Sequence, residues 1–241
     1  MTKRKLMLVA LSLCMVAILA MGGTLAYLTD TSEAINTFTV GDVDITLDEA
    51  PVIKEEGTDK WIPDPDKTAE EDRVTENTYT DVYPGAVLPK DPQVHNVGTN
   101  DAYVRVQVRV DQQVLSYYGK DGESPTTVEA WKDAFRAFVN GTLDETNWVI
   151  VGVMYDADTA SMSFIINYKE RLAAKADTTK VFTEIKVFEG WDNEEVQNMG
   201  IGKGTDGVQI HIFAEAVQAE GFENYNEAFD AYREQEFPSN E

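Results

Sequence analysis

Residues 102–110 read AYVRVQVRV, a run that places Ala102, Val104, Val106, Val108 and Val110 on one side of an extended chain and Tyr103, Arg105, Gln107 and Arg109 on the other. Side chains alternate across a strand with period two, so this run predicts a strand with one buried and one wet face. A second run, VQIHIFAEAV (208–217), repeats the device, with Val208, Ile210, Ile212, Ala214 and Ala216 inward and Gln209, His211, Phe213 and Glu215 outward. Further strands are predicted at Trp148–Met154, Ser161–Tyr168 and Val181–Phe188. One-sided strands need a second layer over their apolar face, and few helical crossovers separate them here. The pattern therefore predicts a mainly β fold, an antiparallel β-sandwich, rather than a parallel α/β sheet.

One helix is well marked, over Thr127–Val139. Thr126 and Glu129 read as a capping box, Val128, Trp131, Phe135, Phe138 and Val139 form an apolar stripe, and Asn140-Gly141 stops the run. Such a helix would plug one side of the sandwich, and a weaker helix is predicted over Tyr225–Arg233. Glu55–Asn77, within an acidic insertion spanning 49–77, has little periodicity and predicts a long exposed loop. Nearer the start, Phe38 and Val40 alternate on even numbers whereas Val43, Ile45 and Leu47 alternate on odd ones. The phase flips at Gly41 and Asp42, predicting a bulge or bend there.

The chain opens MTKRKLMLVALSLCMVAILAMGG: three basic residues, an apolar run from Leu6 to Met21 without an acid, then small residues. That order predicts a secretory signal peptide over residues 1–26. Thr24 and Ala26 are small at positions −3 and −1 of a cut before Tyr27, as a signal peptidase requires. The run to Met21 is shorter than the roughly 20 residues of a comfortable membrane span. Counting on through Leu28 passes that length, so an uncleaved anchor over residues 6–28 is the alternative. Cleavage would remove Cys14, the one cysteine, leaving an exported domain over 27–241 without disulfide, zinc-thiolate site or cysteine nucleophile.

With 20 Lys+Arg against 43 Asp+Glu, the 241-residue chain has a formal net charge of −23. A surface of that sign repels phosphate polyanions, so nucleic acid is excluded as a partner.

Few motifs carry chemistry. Gly202, Gly204 and Gly207 spell G-x-G-x-x-G, but a strand follows where the dinucleotide fingerprint needs a helix. Asp64, Asp66, Glu70 and Glu71 offer hard oxygens resembling the start of a calcium loop. The Gly and Glu that would complete an EF-hand are missing, so Ca²⁺ binding is expected to be weak at most. His95 and His211 are the only histidines, with no H-E-x-x-H spacing, and no G-x-S-x-G elbow is present. The residues thus predict no catalytic group, no resident cofactor and no metal centre. Arg105 and Arg109, on one strand face of an acidic protein, are expected to pair with carboxylates of a neighbouring strand or to sit in a subunit contact.

Four stretches together, KRKL, GGTLAYLTDTSEAINTFTVGDVDITL, YPGAVLPKDPQVHNVGTNDAYVRVQV and IFAEAVQAEGF, resemble the exported Gram-positive family that includes the TasA biofilm matrix protein and camelysin. The resemblance implies processing by an ER-type signal peptidase, a jelly-roll-like sandwich, and assembly in which the freed N-terminal segment completes a neighbour's sheet. It also brings the metallopeptidase class assigned to camelysin, for which the sequence displays no ligand set. The leading expectation is a secreted, non-enzymatic surface or matrix protein that associates with itself or another matrix protein. Its pairing segment would be Tyr27–Leu47, with Phe38, Val40, Val43 and Ile45 giving register. A camelysin-like metallopeptidase and a calcium-dependent adhesion module are the alternatives.

Overall fold

The Val face of residues 104–110 is fully buried, with each of Val104, Val106, Val108 and Val110 at 0% exposure. These residues lie on β6 (Ala102–Asp111), at the heart of a four-stranded antiparallel sheet ordered β10 (His211–Gln218), β6, β8 (Ser161–Tyr168), β7 (Trp148–Asp156). The chain is described by a computed structural model covering residues 42–192 and 209–236. Signal residues Thr24, Ala26 and Tyr27, the pairing residues Phe38 and Val40, Gly41, and the Gly202–Gly207 motif lie outside the described residues. No described helix is long and apolar enough to cross a membrane.

Smaller antiparallel pairs cover the sheet's apolar face: β1 (Ile45–Asp48) with β5 (Gln93–Asn96), and β4 (Val87–Pro89) with β9 (Glu184–Lys186). β2 (Val52–Lys54) pairs with β3 (Trp61–Pro63). Valines of β6, Phe164 and Ile166 of β8, Trp148 and Ile150 of β7, Val94, Leu88 and Ile185 share one core. The fold is thus a mainly β, antiparallel sandwich with short packed helices, as the alternation predicts. The second face of β6 is half-covered rather than wet. Arg105 lies 3.9 Å over the Phe229 ring of the C-terminal helix, and Tyr103 packs with Ala228 and Phe229.

Three α-helices are described: α1 (Gln112–Ser116), α2 (Val128–Phe138) and α3 (Tyr225–Glu236). α2 fills one end of the core through Trp131, Ala134, Phe135 and Phe138, with Phe135 stacked on Phe164 at 4.3 Å between centroids. Its cap is Thr127, whose Oγ1 accepts from Ala130 N at 3.1 Å, not the predicted Thr126. Glu129 pairs instead with Lys132 at 2.8 Å, and Val128 is 53% exposed, outside the apolar stripe. The stop is as predicted: Asn140 and Gly141 take φ of 53° and 69° and donate to Ala137 O and Arg136 O.

Two departures position the site. Glu55–Asn77 is not an open loop. It contributes β3, a short 3-10 helix at Glu70–Asp72, and a bridge from Val74 to Glu49, so its backbone is tied to the body while most of its acids stay exposed. Val181–Phe188 is a strand only at Glu184–Lys186. The preceding Val181 and Phe182 are fully buried in irregular chain whose amide and carbonyl groups bond to Pro92 and Lys90. An irregularity also lies beside β1, in the facing chain: Val97 N and Gly98 N both donate to Asp44 O, at 2.8 and 2.9 Å. Two amides sharing one carbonyl mark a β-bulge.

Candidate metal centre

His95 is on β5, which has a neighbour on each side. β1 runs along one edge, with Thr46 opposite His95, and the chain at Asp177 bridges to the other. Each neighbour brings a carboxylate to the imidazole: Asp48 Oδ1 lies 2.9 Å from Nε2 and Asp177 Oδ1 lies 2.7 Å from Nδ1. The 3-10 helix brings a third, Glu70 Oε1, 3.9 Å from Nδ1. His95 is 5% exposed, whereas the side chains of Glu70 and Asp177 are 75% and 47% exposed. A buried ring nitrogen therefore meets two carboxylates at the protein surface.

Ion pairs fix the buried side of this group. Arg73 Nε donates to Asp48 Oδ1, and its NH2 reaches the carbonyls of Asp48 and Asp91 at 3.2 and 3.1 Å. Asp91 in turn accepts from Ala50 N at 2.7 Å and pairs with Lys180 at 2.6 Å. Burial lowers the His95 pKa, but hydrogen bonds and charges from Asp48 and Asp177 outweigh it, so the value is raised above the ordinary 6.5. Without a metal, the imidazole is clamped between two carboxylates that favour its charged form.

Glu70, His95 and Asp177 form a group able to hold a metal ion, with candidate ligand atoms all within 4.8 Å of one another. Two ligands of one tetrahedral zinc stand about 3.4 Å apart. The 2.7 Å and 3.9 Å separations at Nδ1 bracket that value, and both carboxylates sit on exposed side chains that can adjust. One nitrogen with two carboxylate oxygens suits zinc or manganese, whereas calcium takes oxygen ligands. The Asp48 contact fits as well, since a ligating imidazole commonly donates its other N–H to a carboxylate. The residues present therefore fit a transition-metal ion.

Of the four calcium candidates, Glu70 alone joins the group. Asp64 Oδ1 accepts from Asp66 N at 3.0 Å within its own turn, and Asp66 and Glu71 are exposed. His211 is exposed on β10 beside Phe213. Ile45 packs on the core and pairs with Asn96 of its own chain, and Val43 is half-buried. Arg105 faces Glu215 across the ladder at 4.0 Å, as predicted, whereas Arg109 lies 5.3 Å over the Phe213 ring and acts on the Asp156 carboxylate through its charge. The candidate centre was not readable from local spacing, because its three residues come from a 3-10 helix, a strand and an irregular segment far apart in sequence.

The fold and this group define a β-sandwich with a candidate metal centre. The family model described as camelysin metallo-endopeptidase matches residues 1–59 of the chain, a stretch that reaches through β1 and β2 and includes Asp48. The N-terminal region is thus similar to camelysin and its TasA-related kin, while Glu70, His95 and Asp177 lie beyond the matched residues. No curated protein and no solved structure matches the chain. The expectation of a protein without enzymatic activity is overturned by these two findings together, the peptidase family match and the His-carboxylate group.

Proposed function

We propose that the chain is an exported, metal-dependent peptidase of the camelysin type whose metal is held by Glu70, His95 and Asp177. The observation that carries this reading is the geometry at His95: Nε2 is engaged by Asp48, and Nδ1 faces two carboxylates from separate segments. When bound, a divalent ion there would supply a Lewis acid for a peptide carbonyl and an acidified water. The chain's own residues do the rest. Asp48 accepts the Nε2 proton and keeps the Nδ1 lone pair directed at the carboxylates, and Arg73 stops Asp48 from turning away. Export is supported by the basic, apolar and small-residue order of residues 1–26, with Thr24 and Ala26 preceding the cut at Tyr27.

Zinc titration of the purified metal-free full chain, with a proteolysis assay on an unfolded protein, tests the reading. Zinc-dependent cleavage is expected, with zinc binding weakened at least about ten-fold by Glu70→Gln and by His95→Ala. Glu70 is exposed, so its variant keeps the fold whatever the buried His95→Ala does. Absence of zinc binding, or cleavage indifferent to both substitutions, would overturn it.

A second reading, assembly at the cell surface or in a matrix, draws on a separate observation. β7 is an edge strand of the large sheet and carries Met154 and Tyr155 at 52% and 54% exposure, beyond a bulge at Val151. Open apolar edges recruit further strands, and residues 27–41 ahead of β1 are the proposed incoming segment. Sedimentation should show concentration-dependent assembly that Tyr155→Lys reduces; a monomer at every concentration would remove this reading.

A further inference from the structure

A second, wider cleft lies against the candidate centre. The centre opens on a polar cleft of about 390 Å³ lined by Lys67, Glu70, Arg73, His95 and Asp177. Next to it is a cleft of about 620 Å³ between the β2–β3 hairpin and the β4–β9 pair, lined by Trp61, Ile62, Tyr83, Val87 and Pro89. The two share Ala50, Pro63, Asp91 and Lys180, so they form one depression with a polar arm at the centre and an apolar arm beyond the Asp91–Lys180 ion pair. Tyr83 and Val87 are 39% and 40% exposed there, large apolar groups left facing the opening.

Charge also marks this depression. The chain is strongly acidic, and the ammonium groups of Lys54, Lys90, Lys132, Lys180 and Lys186 end on carboxylates. Yet the ammonium groups of Lys60, in the apolar arm, and Lys67, in the polar arm, have no partner among the described residues. Two free cations flanking an apolar cleft suit a ligand that is apolar in the middle and anionic beside it.

We infer that the apolar arm is the side-chain subsite for an extended peptide: a large apolar residue enters between Trp61, Tyr83 and Val87, its acidic neighbours lie by Lys60 and Lys67, and an adjoining peptide bond is delivered to Glu70, His95 and Asp177. This rests on the peptidase reading and adds its substrate class. Binding and cleavage are separable, so the two can fail separately.

The test uses Glu-flanked octapeptides that differ only in a central Phe, Leu, Gly or Asp, added to the full chain. Binding is followed by fluorescence anisotropy in metal-free protein, and cleavage in zinc-loaded protein. The Phe and Leu peptides are expected to bind at least about ten-fold tighter than the Gly and Asp peptides. Val87→Asp and Tyr83→Ser, both at exposed side chains, are expected to abolish that preference and to raise KM more than they lower kcat. Selective binding lost in Val87→Asp without cleavage under any metal would uphold the subsite while removing the peptidase reading. Cleavage without side-chain preference, or preference unchanged in both variants, would overturn the subsite and leave the peptidase reading standing.

Discussion

Gly98→Ala is expected to loosen the N-terminal edge of the domain and cost about 2–4 kcal/mol, the net worth of three lost backbone hydrogen bonds with the packing they hold. A Cβ at Gly98 would lie 2.2 Å from Asp42 O and 2.7 Å from Asp44 N, both backbone atoms that no rotamer change can move away. Residues 42–44 would have to lift off, breaking the bonds from Val97 N and Gly98 N to Asp44 O and from Thr99 N to Asp42 O. Ile45 and Leu47 would then leave the core. Gly152→Ala is the control. Its new Cβ would meet only the Ile165 side chain, at 3.4 and 3.5 Å, which is tolerable contact. Urea denaturation of the two variants, with proteolysis mapped near residue 44, separates the cases; a Gly98→Ala protein as stable as wild type would mean that β1 is not docked through this bulge.

Asp48→Ala has the second large effect, because it strips one carboxylate partner from Arg73 and from His95 at once. Removing one member of a buried pair typically costs about 3–5 kcal/mol, since the charge left behind has neither water nor partner. Arg73 retains Asp91, whose Oδ2 and carbonyl lie 3.5 and 3.1 Å from it, so the lower end, about 3 kcal/mol, is expected. The pH dependence in metal-free protein has a definite sign. The folded pKa of His95 is raised, so the stability contributed by its charged form is complete below its ordinary 6.5 and fades as pH rises through the higher folded value. The stability gap between wild type and Asp48→Ala should therefore be widest below pH 6.5 and narrow above it. A gap constant across that range would show that Asp48 acts on Arg73 alone. Zinc affinity should fall too, about ten-fold or more, because His95 loses the acceptor that directs its ring.

The parts of the fold legible in the sequence were those governed by one repeating constraint. β6 and β10 each turn one face to the same core, so their alternation is uninterrupted, and α2 carries a 3.6-residue stripe with a left-handed stop at Asn140-Gly141. β4 and β5 are too short for a period to develop and were hidden, and β9 was read as longer than it is. Inside Glu55–Asn77, Trp61 is held by its edge contact with Tyr79, at 5.3 Å, and Arg73 by Asp48. These are single long-range contacts, which no local pattern records. The candidate centre was hidden for the same reason. Glu70 was singled out as one acid of a possible calcium loop, but its actual neighbours, His95 and Asp177, arrive through strand pairing around β5. A buried histidine on a short strand next to a buried asparagine was the one local hint.

The pairing of β6 with β10 sets residue 102 against residue 218. All the rest of the large sheet, β7 and β8 included, lies in the chain between them. Until the last strand is delivered, one long side of β6 stands with its amides and carbonyls unmatched, at the middle of what will be the core. Closing so long a segment is entropically expensive and slow. A chain threaded outward from its N-terminus would therefore present its most adhesive strand, half dressed, for most of its emergence. The moment at which β10 arrives, as much as the finished surface, governs how long that open side of β6 is available to another strand.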